Sequence, residues 1–185
     1  MFFINPFIYG GAGGDFESIA TVTVGSGGAS SIEFTSIPGT YQHLQIRGVA
    51  RRDDAFATGS VYVQVNSDTG SNYAYHVLNG DGSSASASAG SSAAFMFLGQ
   101  STANGAASSI FAAYVADLLD YASTSKTKVL RAMGAHDSNG SGNFRLLSGL
   151  WNSTSAVTSL KLYPSTAGVN FVQHTTFALY GIKAP

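Results

Sequence analysis

The sequence predicts an all-β fold, an antiparallel β-sandwich of jelly-roll type preceded by an extended N-terminal arm. Three observations carry this expectation. Apolar and polar residues alternate with period two along most of the chain. Clusters of Gly, Ser, Asn and Asp separate the alternating runs at intervals of about 12 to 16 residues. No helical pattern intervenes regularly between them, which excludes a parallel βαβ sheet and leaves an antiparallel closure. At 185 residues the chain amounts to one domain plus an arm: residues 1–15 as the arm and its Gly-rich joint, residues 16–185 as the sandwich.

In chain order, SIATVTV (18–24) and SIEFTSI (31–37) flank Gly25-Ser26-Gly27-Gly28 and read as a hairpin. From residue 41, YQHLQIRGVARR points Leu44, Ile46, Gly48 and Ala50 one way, and His43, Gln45, Arg47 and Arg51 the other. VYVQVN turns Val61, Val63 and Val65 inward, with Tyr62 and Gln64 outward. NYAYHVL places Tyr73, Tyr75 and Val77 on one face, and Ser67-Asp68-Thr69-Gly70 between the two runs predicts a second hairpin. The small-residue stretch at 80–94, GDGSSASASAGSSAA, reads as an exposed loop. AAFMFLG (93–99) is a short apolar strand. SIFAAYVADLL (109–119) has a helical composition, but Ile110, Ala112, Tyr114 and Ala116 alternate, and neighbouring strands favour a strand. KTKVLRAMGAH (126–136), NFRLLSGLW (143–151), AVTSLKLYP (156–164) and FVQHTTFALYGIK (171–183) complete about ten or eleven strands.

Composition narrows the function. Only 10% of residues are charged, the net charge is -1 and the pI is near 6.4. Phosphate neutralisation needs clustered Lys and Arg, so nucleic acid is not an expected partner. The absence of cysteine excludes a disulfide scaffold, a Cys-ligated metal and a thiol nucleophile. No run approaches the roughly 18 apolar residues of a membrane span, so no membrane partner is expected. The N-terminal run lacks a positive flank and is broken by Asn5 and Pro6, which argues against a signal peptide.

Chemistry-bearing motifs are sparse. The G-x-S-x-G elbow, G-x-G-x-x-G and the phosphate loop do not occur. His43, His76, His136 and His174 fall on separate strands or strand ends without metal-ligand spacing. Asp53-Asp54 after Arg51-Arg52 reads as a solvated ion cluster, and Asp117 and Asp120 end a strand. NSDTGSN (66–72), NGDGSS (79–84) and HDSNGSGN (136–143) are oxygen-rich. Counting twelve from Asp137 gives Ser148 where an EF-hand needs Glu, so these segments read as Asx turns. The expectation is therefore a protein without catalysis, metal or cofactor. Among the aromatics, Tyr73, Tyr75 and Trp151 are candidate glycan contacts.

The segment MFFINPFIY is the least expected feature. Phe2, Phe3, Ile4, Phe7, Ile8 and Tyr9 are large hydrophobes outside any periodic pattern, and Pro6 forbids a central strand. Gly10, Gly11, Gly13 and Gly14 form a joint behind them. Bare, this surface is an aggregation liability; it makes sense when docked on another chain or folded over its own sandwich.

FTSIPGTYQHLQIRGVAR (34–51), VNSDTGSNYAYHVLNGDGSS (65–84), GAHDSNGSGNFRLLSGLWNST (134–154) and FALYGIK (177–183) together resemble small structural proteins of tailed bacteriophages, cyanophages among them. The resemblance runs from about residue 31 to the C-terminus and does not include the arm. It implies a virion component without catalysis, assembled in the host cytoplasm, and leaves head or tail placement open. Together with the composition, it leads to the expectation of a capsid decoration (cement) protein. Such a protein would be a homotrimer that stabilises the shell by binding the major capsid protein, its arm docked on that protein or on another virion protein. The alternative is a tail fibre, tailspike or head-fibre domain whose loops 79–92 and 136–143 meet host surface glycan.

Overall fold

A computed structural model describes residues 15–183. Twelve strands are present among them and no helix: β1 (Phe16–Thr23), β2 (Ile32–Phe34), β3 (His43–Ala50), β4 (Thr58–Val65), β5 (Tyr73–Gly80), β6 (Ala85–Ala93), β7 (Met96–Thr102), β8 (Ala112–Leu119), β9 (Lys128–Asp137), β10 (Gly142–Trp151), β11 (Leu160–Pro164) and β12 (Thr176–Ile182). They form an eight-stranded sheet in the order β1-β12-β3-β8-β9-β10-β5-β6 and a four-stranded sheet in the order β2-β11-β4-β7, with every strand pair antiparallel. This is the antiparallel sandwich expected; the strand order does not by itself establish jelly-roll wiring. Of the expected arm and joint, residues 1–15, all but Asp15 lie outside the described residues. The ambiguous segment 109–119 contributes strand β8.

The core follows from alternation. Leu44 and Ile46 on β3, Tyr114, Ala116 and Leu118 on β8, and Phe177 and Leu179 on β12 are buried from the large sheet. Val61, Val63 and Val65 on β4, Met96 and Leu98 on β7, and Leu160 and Leu162 on β11 meet them from the small sheet. β7 lies across β8, β9 and β10. Glycines allow this close approach. A Cβ at Gly99 of β7 would stand 2.7 Å from the Tyr114 ring, and one at Gly149 of β10 would stand 2.8 Å from the Met96 side chain.

Three local expectations need correction. The runs around Gly25–Gly28 do not form a hairpin: β1 pairs with β12 and β2 with β11. The runs around Ser67–Gly70 do not pair either, because β4 and β5 belong to different sheets. At that crossover the Tyr73 hydroxyl accepts from Val65 N at 3.1 Å, and Asn66 Oδ1 accepts from the backbone of Thr158 and Ser159. Val65 N is thus satisfied by a side chain, and Asn66 ties the crossover to the segment before β11. The stretch read as a loop at 80–94 contains β6, paired to β5 from Tyr73↔Ala93 to Gly80↔Ala85. Backbone pairing needs no bulky side chains, so an Ala/Ser edge strand forms on β5 without a core of its own.

Within Arg51-Arg52-Asp53-Asp54, expected as a solvated cluster, Asp53 is exposed but the two arginines are buried. Arg51 is buried and donates to the carbonyls of Ala106, Ala107 and Ile110, tying down the loop before β8. Arg52, 1% exposed, donates to Asp54 Oδ2 at 2.6 Å, to Ser60 O at 2.9 Å and to the hydroxyls of Ser165 and Thr166. Gly59 makes room for it, since a Cβ there would fall 1.9 Å from the guanidinium. The pair joins three chain segments through groups that water would otherwise solvate. Replacing Arg52 with Ala strands the Asp54 carboxylate in the interior and is expected to cost about 3–5 kcal/mol. The double replacement Arg52→Met, Asp54→Leu is expected to cost less. Urea unfolding of the two variants checks this, and equal losses would contradict it.

Candidate docking face

The outer face of the eight-stranded sheet divides into rows fixed by register. One row is polar: Gln45, Asp117, Arg131, Ser148 and His76 stand side by side on β3, β8, β9, β10 and β5. Gln45 Nε2 donates to Asp117 Oδ1 at 2.7 Å and Arg131 Nη2 donates to Asp117 Oδ2 at 2.9 Å. The next row begins with Arg47 on β3 and then turns apolar: Val115, Met133, Leu146, Leu78 and Ala87. The row beyond it holds Ala113, Ala135 and Phe144.

Among the described residues nothing covers these apolar side chains. Leu78 is 52% exposed, Phe144 and Leu146 45% each, and Met133 42%. The short side chains of β6 leave a shallow groove of about 700 Å³ between Leu78, Ala87, Leu146 and Arg131. Other large hydrophobics are also exposed, Phe56 most of all, but this band is contiguous, and a contiguous apolar band is the mark of a contact surface. The sequence reading did not single it out, yet a signal was there. Val77-Leu78 and Leu146-Leu147 are adjacent pairs within strands, and period two sends one member of each to the core and the other outward. Val77 and Leu147 are buried accordingly.

The half of the face nearest β1 has a different character. Phe16 stacks on Tyr180 with centroids 4.7 Å apart, and the Arg47 guanidinium lies over the Phe16 ring at 5.0 Å. Glu17 bonds Lys183 and the Tyr41 hydroxyl. The Lys183 bond, foremost, holds the Glu17 carboxyl below its ordinary range.

The expected glycan contacts lie elsewhere, and two of the three lack a stacking surface. Trp151 is 3% exposed, its indole N–H donating to Asp68 Oδ2 at 2.7 Å. Tyr73 is buried, its hydroxyl donating to Asp68 O at 2.9 Å, and burial pushes its phenol up to about 12. Tyr75 is half-buried among Phe95 and Phe97, the latter ring edge-on at 4.5 Å. Both buried rings have polar tips that find partners, which is how strand aromatics become core residues rather than sugar platforms. The arm residues Phe2, Phe3, Ile4, Phe7, Ile8 and Tyr9 lie outside the described residues.

Lys128 is fully buried, its Nζ donating to the carbonyls of Ser123 at 2.7 Å, Lys126 at 2.6 Å and Thr154 at 3.2 Å. Burial lowers its pKa. His136 lines a small cleft with Gln100, Thr58 and Asn143, and burial also lowers its imidazole pKa. Among the described residues no three His, Asp or Glu side chains gather as a metal cage.

The Trp151 bond, foremost, holds the Asp68 carboxyl below its ordinary range, with Asn72 and the Gly70 amide assisting. A carboxyl depressed by folding contributes stability that is present above its unfolded pKa and lost as pH falls through its folded one. Folding stability is therefore expected to decline as pH drops below about 4. That decline should be shallower in Asp68→Ala, which should also lose about 1–3 kcal/mol at neutral pH by orphaning the indole N–H. Fluorescence of the sole tryptophan during denaturant titrations at several pH values reports both. An unchanged acid slope in the variant would contradict the assignment. No family model, no curated protein and no solved structure matches this chain.

Proposed function

We propose that the chain is a structural protein of a tailed-bacteriophage virion, a capsid decoration protein that stabilises the shell by binding the major capsid protein. The observation that carries this reading is the apolar band of Leu78, Met133, Phe144 and Leu146, uncovered among the described residues, on a charge-poor sandwich. Such a body acts mechanically. It buries apolar area between subunits, each Å² contributing roughly 25 cal/mol before the costs of association. The arm adds a second apolar element, and the resemblance of residues 34–51, 65–84, 134–154 and 177–183 to phage structural proteins supplies the particle. Assembly as a homotrimer and residence in the virion, with assembly in the host cytoplasm, belong to the same proposal. The glycan-binding fibre reading has less support, since the rings of Tyr73 and Trp151 are buried.

Binding of the purified chain to undecorated phage heads, scored by co-sedimentation, tests the proposal. The full chain should saturate at hundreds of copies per head, and deletion of residues 1–9 should reduce bound copies at least about tenfold if the arm residues act as anchors. Saturation at a dozen copies, or binding to host cells instead of heads, would contradict it.

A further inference from the structure

We infer that the apolar band on the outer face of the eight-stranded sheet is the acceptor for residues 1–9 of a neighbouring copy of this chain. This deepens the decoration reading and rests on it: the arm that anchors the protein links subunit to subunit. The chemistry of the two surfaces matches. The arm carries six large hydrophobes and no charged side chain. The band of Leu78, Met133, Phe144 and Leu146 is itself free of charge, and the groove beside Leu78 and Ala87, bordered on one side by Arg131, is open where β6 presents only short side chains. Aromatic anchors entering apolar recesses are the usual way a short segment gains affinity.

Chain length and the polarity of the path favour a neighbouring copy as the source of the arm. The described chain begins at Asp15, beside β1, at one edge of the sheet. Leu146 on β10 lies five strands away in the order β1-β12-β3-β8-β9-β10, or about 24 Å at the usual strand spacing. Phe16 lies in the row of Leu119 and Val129, and Met133 and Leu146 lie four residues further along the strands, about 13 Å. The direct separation is therefore about 27 Å. Gly10 to Asp15 spans about 20 Å when fully extended, and about 13 Å as a relaxed Gly-rich joint. In its own subunit, even with the joint fully drawn out, Tyr9 and Ile8 stop short of Leu146 and only the residues ahead of them come within reach, at about 3.4 Å per residue. The path also crosses the polar half of the face, over Arg47, Gln45 and Asp117. A neighbouring copy removes both obstacles: the joint stays relaxed and all six hydrophobes meet an apolar surface.

Because the chain has no cysteine, introduced thiols report only on each other. Asn5→Cys changes the arm's polar position and spares its anchors; Ser148→Cys replaces an exposed residue beside Leu146 on β10. The two full-length variants, one carrying a size tag, are mixed and treated with a short bismaleimide. The expected product is a mixed dimer joining the tagged to the untagged chain. Three results would overturn the inference. A chain carrying both substitutions that closes on itself as a monomer shows the arm on its own sandwich. Dimers of Ser148→Cys alone show face against face. No cross-link at all shows that the acceptor is not on this chain. As a second measurement, Leu146→Glu should weaken self-association in sedimentation at least about tenfold, and Thr69→Glu, on an exposed turn away from the face, should not. Head binding is scored separately. Heads that bind while no cross-link forms leave the decoration reading standing without this one; cross-links without head binding do the reverse.

Discussion

An eight-stranded sheet with large apolar side chains on both faces can bury only one of them against a four-stranded partner. That mismatch shapes the rest of the molecule. The inner face is filled from β3, β8 and β12 on one side and from β4, β7 and β11 on the other. The outer face has no second layer among the described residues, so Leu78, Met133, Phe144 and Leu146 are exposed on the single chain. Keeping an apolar band exposed costs solubility, and a protein that keeps one has a surface to cover it with.

The interior solves a different problem, that of holding long connections without helices. Buried cations do this work. Arg51 gathers the carbonyls of the loop before β8, Arg52 joins the segment after β3 to Ser60 and the turn after β11, and Lys128 gathers three carbonyls at the start of β9. Each donates to backbone carbonyl oxygens, several of which also accept from an amide or hydroxyl. Asp68 does the same at the crossover between sheets, accepting from Trp151, Asn72 and the Gly70 amide. A sandwich with only 10% charged residues thus uses several of its charges as internal ties. The result is a body that can present the outer face without rearranging.

Much of the fold was legible from period-two alternation, because it reports a half-buried sheet regardless of which strand pairs with which. Leu44 and Ile46, the valines of β4, and Ala112 to Leu118 all face as the pattern requires. Pairing was not legible. Turn glycines at 25–28 and the Ser67–Gly70 cluster look like hairpin turns, but a turn that changes sheets uses the same residues. β6 was missed because Ala and Ser carry no hydrophobic signal; its existence depends on the edge that β5 offers. Arg51-Arg52 looked solvated because four adjacent charges usually are, and only the surrounding carbonyls reveal otherwise. The glycan rings failed for the opposite reason: Trp151 and Tyr73 have partners for their polar tips, supplied by a residue distant in sequence from one of them. The docking face was half legible. The adjacent pairs Val77-Leu78 and Leu146-Leu147 announce two apolar faces, but which face lacks a cover depends on the width of the opposing sheet.

Methionine oxidation tests most directly whether the outer face is an interface. Met133 is 42% exposed on that face, while Met96 is fully buried beneath it. Dilute hydrogen peroxide should convert Met133 to the sulfoxide far faster than Met96 in the dispersed chain. In the assembled protein, whether self-associated or on a particle, the account predicts that Met133 oxidation slows toward the rate at Met96. An unchanged Met133 rate on assembly would mean that the band of Leu78, Met133, Phe144 and Leu146 stays in water, and would contradict the account.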